Sequence, residues 1–322
     1  MAAPMRRILS TVLLALTALP AWAQGYPAHT VKIIVPFAAG GPADIYGRTI
    51  GQRLQEALGQ AFIVEDRPGG GSIVGTDAVA KSAPDGYTLL MMSNTHTVNE
   101  SLISKKPFKL LQDFVTVAPV NYSDLVLVVH PSVKANTLEE LIALAKAQPN
   151  VLNYASSGPG TPYHMAGELF KAMAGVQIVH VPYKGSSGAR TDVLGGQVQM
   201  MFDAITTMAP MARAGKVRAL ATTGKTRSSV LPEVPTVSEA GVPGYEAVIW
   251  LGIMAPAGTP APIINRLHDE TAKILKSPEI QASFRQQGVE AADTTPAQFA
   301  AFLRNEVDRW GKVVKFSGAK VE

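Results

Sequence analysis

The chain alternates short runs of β-branched residues with amphipathic helical stretches, and this alternation limits the folds open to it. Residues 31–35 form such a run and predict a buried strand. Apolar side chains then recur every four residues between Pro42 and about Leu58, which predicts a helix that Gly59 ends. Residues 62–65 predict the next strand. A strand, a helix and a second strand in this order predict a parallel βαβ unit, so the predicted fold class is α/β.

The same pattern continues along the rest of the chain. Later strands are predicted at residues 88–92, 125–129, 152–155, 177–181, 198–202, 217–222 and 249–254. A length of 322 residues corresponds to about two domains. Because no flexible linker separates two consecutive halves, we expect the chain to cross between domains near strands. The polar or turn-rich residues 121–124 and 243–246 are the candidate crossings.

The first 23 residues have the pattern of a secretory signal peptide. Arg6 and Arg7 precede a mostly apolar run at residues 8–19, and the small-residue pattern Ala21-Trp22-Ala23 follows. A membrane-anchoring helix is the alternative, but this run covers only about 18 Å of the roughly 30 Å hydrocarbon layer. We therefore expect cleavage after Ala23 and a soluble mature protein in a bacterial periplasm. The general secretory and twin-arginine routes both stay open.

Composition and missing motifs exclude several classes of protein. The chain has no cysteine, which excludes disulfides, zinc–thiolate sites, iron–sulfur clusters and a catalytic thiol. The sequence lacks close histidine pairs, a nucleophile elbow, a phosphate-binding loop and a dinucleotide-binding glycine pattern. The formal net charge is only +4 and no run of five Lys or Arg residues occurs. We expect no metal, no cofactor, no nucleic-acid partner and no enzymatic activity.

The glycine-rich turn at residues 36–44 is the first candidate ligand-binding segment. It follows the first predicted strand, and ligands of open α/β sheets bind beyond the carboxyl ends of the strands. Gly40 and Gly41 let the backbone come close to a ligand, and a helix starting at Pro42 offers free N–H groups. This combination favours a carboxylate or another anion. The alternative is a tight turn in which Asp44 satisfies the helix end.

Further segments that follow predicted strands carry small polar side chains. Residues 93–97 are rich in hydrogen-bond donors and also fit a surface loop. Residues 155–161 combine hydroxyls with glycines, and His164 follows them either as a ligand contact or as a histidine packed inside a helix. Tyr183 is a candidate to cover a ligand. Asp203 is a candidate acceptor for an ammonium or hydroxyl group, or else a turn cap.

A set of ordered segments extends across almost the whole chain after residue 23. They are residues 26–27, 35–37, 40–41 with Asp44, 64–69, 83–89, 152–156, 164–170, 180–185, 194–198, 201–203, 216–221, 231–236, 239–241, 255–260 and 310–314. In this order they resemble the tripartite tricarboxylate transporter substrate-binding proteins, the TctC or Bug family. Asp66 stands where that family often has asparagine, and residues 38–39, 42–43 and 159–163 lie in stretches that vary between members.

The resemblance implies a type II periplasmic binding protein fold, with two α/β domains, a ligand cleft between them and two strand crossovers near residues 121–124 and 243–248. Residues 24–122 plus 249–322 would form domain 1, and residues 123–248 would form domain 2. We expect the two domains to close over the ligand by a hinge motion.

The implied function is capture of a small carboxylated solute and its delivery to membrane permease subunits of a tripartite tricarboxylate transporter. Di- and tricarboxylates, amino acids and aromatic acids all fit as ligands, and a monomer is expected. A receptor that feeds a membrane sensor kinase, and a periplasmic hydrolase on the same scaffold, are the alternatives. The predicted ligand-binding residues are Phe37, Ala39, Gly40, Gly41, Asp44, Ser93, Thr95, His96, Ser156, Ser157, Gly158, Thr161, His164, Tyr183, Gly185 and Asp203.

The signal-peptide pattern gives a direct prediction for the exported protein. Its first residue should be Gln24, because cleavage is expected after the small residues Ala21 and Ala23. N-terminal sequencing of protein recovered from the periplasm measures this. A membrane-bound product that retains residues 1–23 would contradict the prediction.

Overall fold

Strands and helices alternate in the computed structural model, which describes residues 25–320. The signal-peptide prediction for residues 1–23 therefore lies outside the described residues. The strands are β1 (Val31–Val35), β2 (Phe62–Asp66), β3 (Thr88–Ser93), β4 (Phe114–Val129), β5 (Asn153–Ser156), β6 (Val179–Pro182), β7 (Met200–Ala204), β8 (Arg218–Thr222), β9 (Val248–Pro256) and β10 (Val289–Ala291). The helices are α1 (Pro42–Leu58), α2 (Ile73–Ala80), α3 (Asn94–Leu102), α4 (Leu110–Asp113), α5 (Leu138–Ala147), α6 (Pro162–Ala174), α7 (Ser186–Leu194), α8 (Ile205–Arg213), α9 (Ala261–Lys276), α10 (Pro278–Gln286) and α11 (Pro296–Ser317).

One sheet runs through the molecule in the order β2-β1-β3-β9-β4-β7-β5-β6, and β8 and β10 both pair with β4. β1 is parallel to β2 and β3, and β5 is parallel to β6 and β7. β4 and β9 run antiparallel to their neighbours. The predicted parallel βαβ unit and the α/β fold class are both confirmed.

The long strand β4 connects the two halves of this sheet. Its first part, as far as Asp124, pairs with β9, whereas from Leu125 onward it pairs with β7 and β8. We call the part built on β1, β2, β3 and β9 the first lobe, and the part built on β5 to β8 the second lobe. The change of pairing partner coincides with the first predicted crossing, while the residue bounds of the two domains stay a prediction.

Residues 121–124 form continuous strand, so the prediction that this polar stretch lies beside a strand is wrong. These residues lie inside β4, where Asn121 pairs with Leu251 and Asp124 with Val248 of β9. On the other side of β4, β10 pairs with residues 121–123. Hydrogen bonds on both edges hold the backbone extended in spite of the polar side chains.

Alternating side chains of the strands build separate cores on the two faces of the sheet. On β1, Ile33 packs with the side of the sheet that α1 and α9 cover, whereas Ile34 packs on the opposite side with α11. On β4, Leu127 packs into one core of the second lobe and Val128 packs into another core on the opposite face of the sheet. Both faces of the sheet are therefore buried, which leaves the carboxyl ends of the parallel strands as the place where loops can build a site.

The C-terminal helix α11 contacts both lobes. Trp310 packs with Val98 of α3 in the first lobe and with Met165 of α6 in the second. The indole N–H groups of Trp310 and Trp250 both donate to the buried carboxylate of Glu306, at 2.9 and 2.8 Å. Neither this helix nor another in the described range 25–320 is long and apolar enough to cross a membrane.

The packing of β9 against α11 gives a test of the fold. A Cβ placed on Gly252 would overlap the ring of Phe299. Gly252→Ala should therefore lower the free energy of unfolding by about 1–3 kcal/mol, the usual effect of overpacking a core. In α1, a Cβ on Gly51 would make ordinary contact with Ile33, at 3.4 Å. Gly51→Ala is the matched control and should leave stability equal or higher, since alanine favours helix. Equal stability of the two variants in urea denaturation would contradict this packing.

Candidate ligand-binding site between the lobes

A narrow cavity lies between the two lobes. Loops of both lobes and the first part of β9 form its walls. The residues that line it are Phe37, Ala38, Gly41, Pro42, Ala43, Ser93, Ser157, Thr161, Pro162, Tyr163, Gly185, Ser186, Ile249 and Leu251.

Four helices begin at the wall of this cavity. The residues immediately before α1, α3, α6 and α7 are Gly41, Ser93, Thr161 and Gly185, and all four line the cavity. The first backbone N–H groups of a helix have no partner within the helix, and its N-terminus carries partial positive charge. Two of these N-termini belong to each lobe. The cavity therefore has the electrostatic character of an anion site on both sides.

The sequence determines which of these helix ends stay open. Ser93 and Thr161 cap their own helices, because their side-chain oxygens accept the N–H groups of Thr95 and His164. α1 and α7 begin after glycines and have no side-chain cap. The N-termini of α1 and α7 are therefore the two whose N–H groups are most available to a ligand.

The loop before α1 is held by its own side chains. Gly40 has a φ of +77°, which glycine adopts without strain, and its N–H donates to the Asp44 carboxylate at 2.8 Å. Arg48 donates to the other oxygen of Asp44 at 2.5 Å. Asp44 thus satisfies the turn, as the alternative interpretation of this residue expected. Gly41 itself has a φ of −89° and ψ of 168°, an extended conformation open to any residue.

Tyr163 is the only ionisable side chain among the residues that line the cavity. Burial raises its pKa well above the usual range, and the nearby Asp203 adds to this effect, so the hydroxyl stays protonated. Asp203 lies behind the wall and is fully buried. Its carboxylate accepts from Arg190 at 2.8 Å and from the N–H of Ala204 at 2.8 Å, so its hydrogen-bonding capacity is directed to the chain itself.

Residues 93–97 begin a helix and are buried, so the interpretation of this segment as a surface loop is wrong. His96 explains the difference, because its Nδ1 accepts the N–H of Ser93 at 3.1 Å and closes a capping box. Its Nε2 lies 3.0 Å from the Thr76 hydroxyl. His96 and Thr95 therefore stabilise the start of α3 and do not line the cavity.

His164 and Ser156 shape the loop at residues 156–161. Nδ1 of His164 accepts the N–H of Gly160 at 3.1 Å, and its ring lies 4.3 Å from that of His180. The Ser156 hydroxyl is 2.6 Å from Nε2 of His180. Because Ser156 is completely buried, this pair fixes the loop from behind the cavity wall.

The structure brings six of the sixteen predicted residues to the cavity, and their contact with a ligand stays a prediction. These six are Phe37, Gly41, Ser93, Ser157, Thr161 and Gly185. Gly158 and Tyr183 line an adjoining groove of about 550 Å³, which shares Phe37, Ser157 and Thr161 with the cavity. The eight that line neither space are Ala39, Gly40, Asp44, Thr95, His96, Ser156, His164 and Asp203.

Sequence reasoning missed the part of the wall that depends on where helices start. Pro162 and Tyr163 open α6, Ser186 opens α7, and all three face the cavity. Ile249 and Leu251 come from β9, which is far from the loops in the chain. A signal for Ser186 exists in hindsight, because Gly185 before it marks the start of a helix after β6.

The two walls touch each other beside the cavity. The Ser187 hydroxyl at the start of α7 donates to the carbonyl of Ala39 in the opposite lobe, at 2.8 Å. A Cβ placed on Gly185 would lie 2.5 Å from Cβ of Ala38. Only glycine permits this approach, so Gly185 allows the lobes to meet in a closed arrangement.

These features define the class of two-domain solute-binding proteins, in which loops of two α/β lobes enclose a small ligand. Residues 47–319 match the family model described as "Tripartite tricarboxylate transporter family receptor". The chain therefore belongs to this TctC family, and the resemblance found in the sequence is confirmed. It is 40% identical over 307 residues to the protein BugT of Bordetella pertussis, covering 95% of this chain and 94% of that one.

Solved structures of relatives agree with the two-domain fold. R. palustris Rpa4515 with adipate has a TM-score of 0.89 and 34% identity, covering 92% of this chain and 99% of that one. MatC from Rhodopseudomonas palustris with bound malate has a TM-score of 0.86 and 31% identity, covering 90% of this chain and 100% of that one. The periplasmic binding protein BugD has a TM-score of 0.88 and 32% identity, covering 92% and 99%.

Three histidines near the site, of which His96 and His164 are buried and His180 is half-buried, give a prediction about stability and pH. Burial lowers the pKa of His96 and His164 to about 4 and that of His180 to about 3, and the neighbouring Lys171 lowers the pKa of His164 further. In the unfolded chain a histidine titrates near pH 6.5. Below that pH the unfolded state binds more protons than the folded state, so the free energy of unfolding should fall from about pH 6.5 towards pH 4.

Urea denaturation at a series of pH values measures this dependence. His180→Gln removes one of the three titrating groups at a partly exposed position. Its free energy of unfolding should vary less steeply with pH over the same range than that of the parent. Equal slopes for variant and parent, or a parent stability that is constant between pH 6.5 and 4, would contradict the lowered pKa values of these histidines.

Proposed function

We propose that this chain is a periplasmic receptor that binds a small dicarboxylate between its lobes and delivers it to the membrane subunits of a tripartite tricarboxylate transporter. The observation that carries the proposal is the convergence of four helix N-termini on one cavity. Membership of the TctC family supports the role of a solute receptor. The expected signal peptide supports export to the periplasm.

The chemistry of the wall favours a carboxylate over a cation. Backbone N–H groups and the hydroxyls of Ser157 and Ser186 supply hydrogen-bond donors, and no carboxylate lines the cavity. The Thr161 and Ser93 hydroxyls donate within the chain instead. An anion bound to such donors gains charge-assisted hydrogen bonds without the desolvation of a buried lysine or arginine. A ligand ammonium would find no negative partner among the lining residues.

The arrangement of the helix ends favours a ligand with two carboxylates. α1 and α3 begin in the first lobe, and α6 and α7 begin in the second. A dicarboxylate can place one anionic end on each side, so it binds the closed arrangement better than the open one and shifts the population towards closure. Phe37, Ile249 and Leu251 offer apolar surface to the carbon chain between the two ends.

The solved relatives support this ligand class. Rpa4515 was solved with adipate and MatC with malate, which are both dicarboxylates. Their identity to this chain is 34% and 31%, so the fold is shared while the lining can differ. Malate and adipate are therefore suitable probes of short and long dicarboxylates.

Gly41 provides the test of this function. Its Cβ position lies 3.3 Å from the Ser186 hydroxyl of the opposite lobe, so the two methyl groups of valine would occupy ligand space. Gly41→Val should weaken binding of whichever of malate or adipate binds the parent, by about tenfold to a hundredfold. This is the loss expected for one charge-assisted hydrogen bond of roughly 1.5–3 kcal/mol. Titration calorimetry measures the affinity, and a thermal melt should show little change because Gly41 has an extended backbone.

Gly195→Val is the matched control. Gly195 is exposed at the far end of α7, and its φ of −83° also accepts valine. This control should bind the same acid as the parent does. Unchanged affinity in a folded Gly41→Val protein would show that the carboxylate does not bind at the start of α1. A parent that binds neither acid would contradict a dicarboxylate as the ligand.

A further inference from the structure

Ser186 lies at the meeting point of the two lobes. It is the first residue of α7, it is only 4% exposed, and it lines the cavity. Its hydroxyl oxygen would lie 3.3 Å from a Cβ on Gly41, the residue before α1 in the other lobe. The Ser186 side chain therefore points across the cavity towards the opposite helix end.

A buried ion pair stands directly behind this serine. Arg190, one helical turn further along α7, donates from Nε to the carboxylate of Asp203 at 2.8 Å. Its Nη2 donates to the Ser186 hydroxyl oxygen at 3.0 Å. The Asp203 carboxylate is completely buried and the Arg190 side chain is only 15% exposed, so the geometry of the guanidinium is held firmly.

The direction of these hydrogen bonds determines whether the Ser186 hydroxyl can act as a donor to a ligand. A guanidinium has no acceptor, so the Ser186 oxygen must accept from Arg190 and its own proton must point elsewhere. Within residues 25–320, the hydrogen bond from Arg190 is the one that the Ser186 hydroxyl oxygen makes. The direction left for the proton is towards the cavity and the Gly41 side. The adjacent positive charge also polarises the hydroxyl and strengthens it as a donor.

We propose that Ser186 is a specificity-determining donor to a ligand carboxylate, and that Arg190, held by Asp203, is the positioning residue that keeps this hydroxyl in the donor orientation. This inference rests on the proposed function and names how one end of the dicarboxylate is recognised. Arg190 acts without touching the ligand, since it does not line the cavity. A carboxylate oxygen can accept from Ser186, whereas an ammonium group at this place would face a donor and a nearby cation.

A double-mutant cycle separates donor and positioning roles. Ser186→Ala removes the hydroxyl and should weaken binding of malate or adipate, whichever binds the parent, by about tenfold. Arg190→Lys keeps a positive partner for Asp203, but a single ammonium cannot donate to Asp203 and Ser186 in the same fork geometry. Arg190→Lys alone should weaken binding about threefold or more. Added to Ser186→Ala, it should cause no further loss of affinity.

Thr191→Ala is the control for α7 itself. Thr191 is exposed on the outer side of the helix and donates to the carbonyl of Ser187. This variant should bind the acid as the parent does. If Arg190→Lys does not fold, the neutral pair Arg190→Gln with Asp203→Asn replaces it in the cycle, with the same expected coupling to Ser186.

The outcomes distinguish this inference from the proposed function. Calorimetry in which the parent binds a dicarboxylate and Ser186→Ala binds it equally well overturns the inference and leaves the function in place. Losses from Ser186 and Arg190 variants that simply add would show that Arg190 does not act through Ser186, which also overturns it. A parent that binds neither acid contradicts the proposed function instead.

Discussion

The open N-termini of helices are the feature on which the site depends. A helix leaves its first N–H groups without partners inside the helix, and four helices of this chain begin at the wall of one cavity. Two of them, α1 and α7, have no side-chain cap. Buried donors of this kind are costly unless a ligand or water accepts from them. The lining therefore favours an anion although it includes no lysine or arginine, and Arg190 behind the wall is already paired with Asp203.

The sheet explains why these helix ends meet. β1, β3, β5 and β6 are the strands that precede the four helices, and within each lobe they run parallel, so their carboxyl ends point the same way. β4 and β9 carry the sheet from one lobe into the other and are paired side by side as far as Asp124 and Val248. This paired stretch lets the lobes face each other across the cavity while the chain crosses between them without a loose linker.

Much of this architecture could be predicted from local patterns, since β-branched runs, glycine turns and helix-starting prolines act over a few residues. The first part of β4 could not, because Pro119 and Asn121 interrupt its pattern and only pairing with β9 and β10 makes it a strand. The helix starts after Gly41 and Gly185 could be predicted from the sequence, because a glycine that follows a strand marks each of them. The roles of His96, His164 and Asp203 could not be predicted, because each depends on a hydrogen bond that only the folded structure shows. Their partners are Ser93, Gly160 and Arg190, in the same order.

We propose that helix N-termini and hydroxyls, without a direct cationic partner, hold the ligand carboxylate. A crystal structure of the chain with malate or adipate bound tests this most directly. We expect carboxylate oxygens within about 3.2 Å of backbone N–H groups at the starts of α1 and α7. A carboxylate paired with a lysine or arginine side chain, such as Lys184 in the adjoining groove, would contradict it.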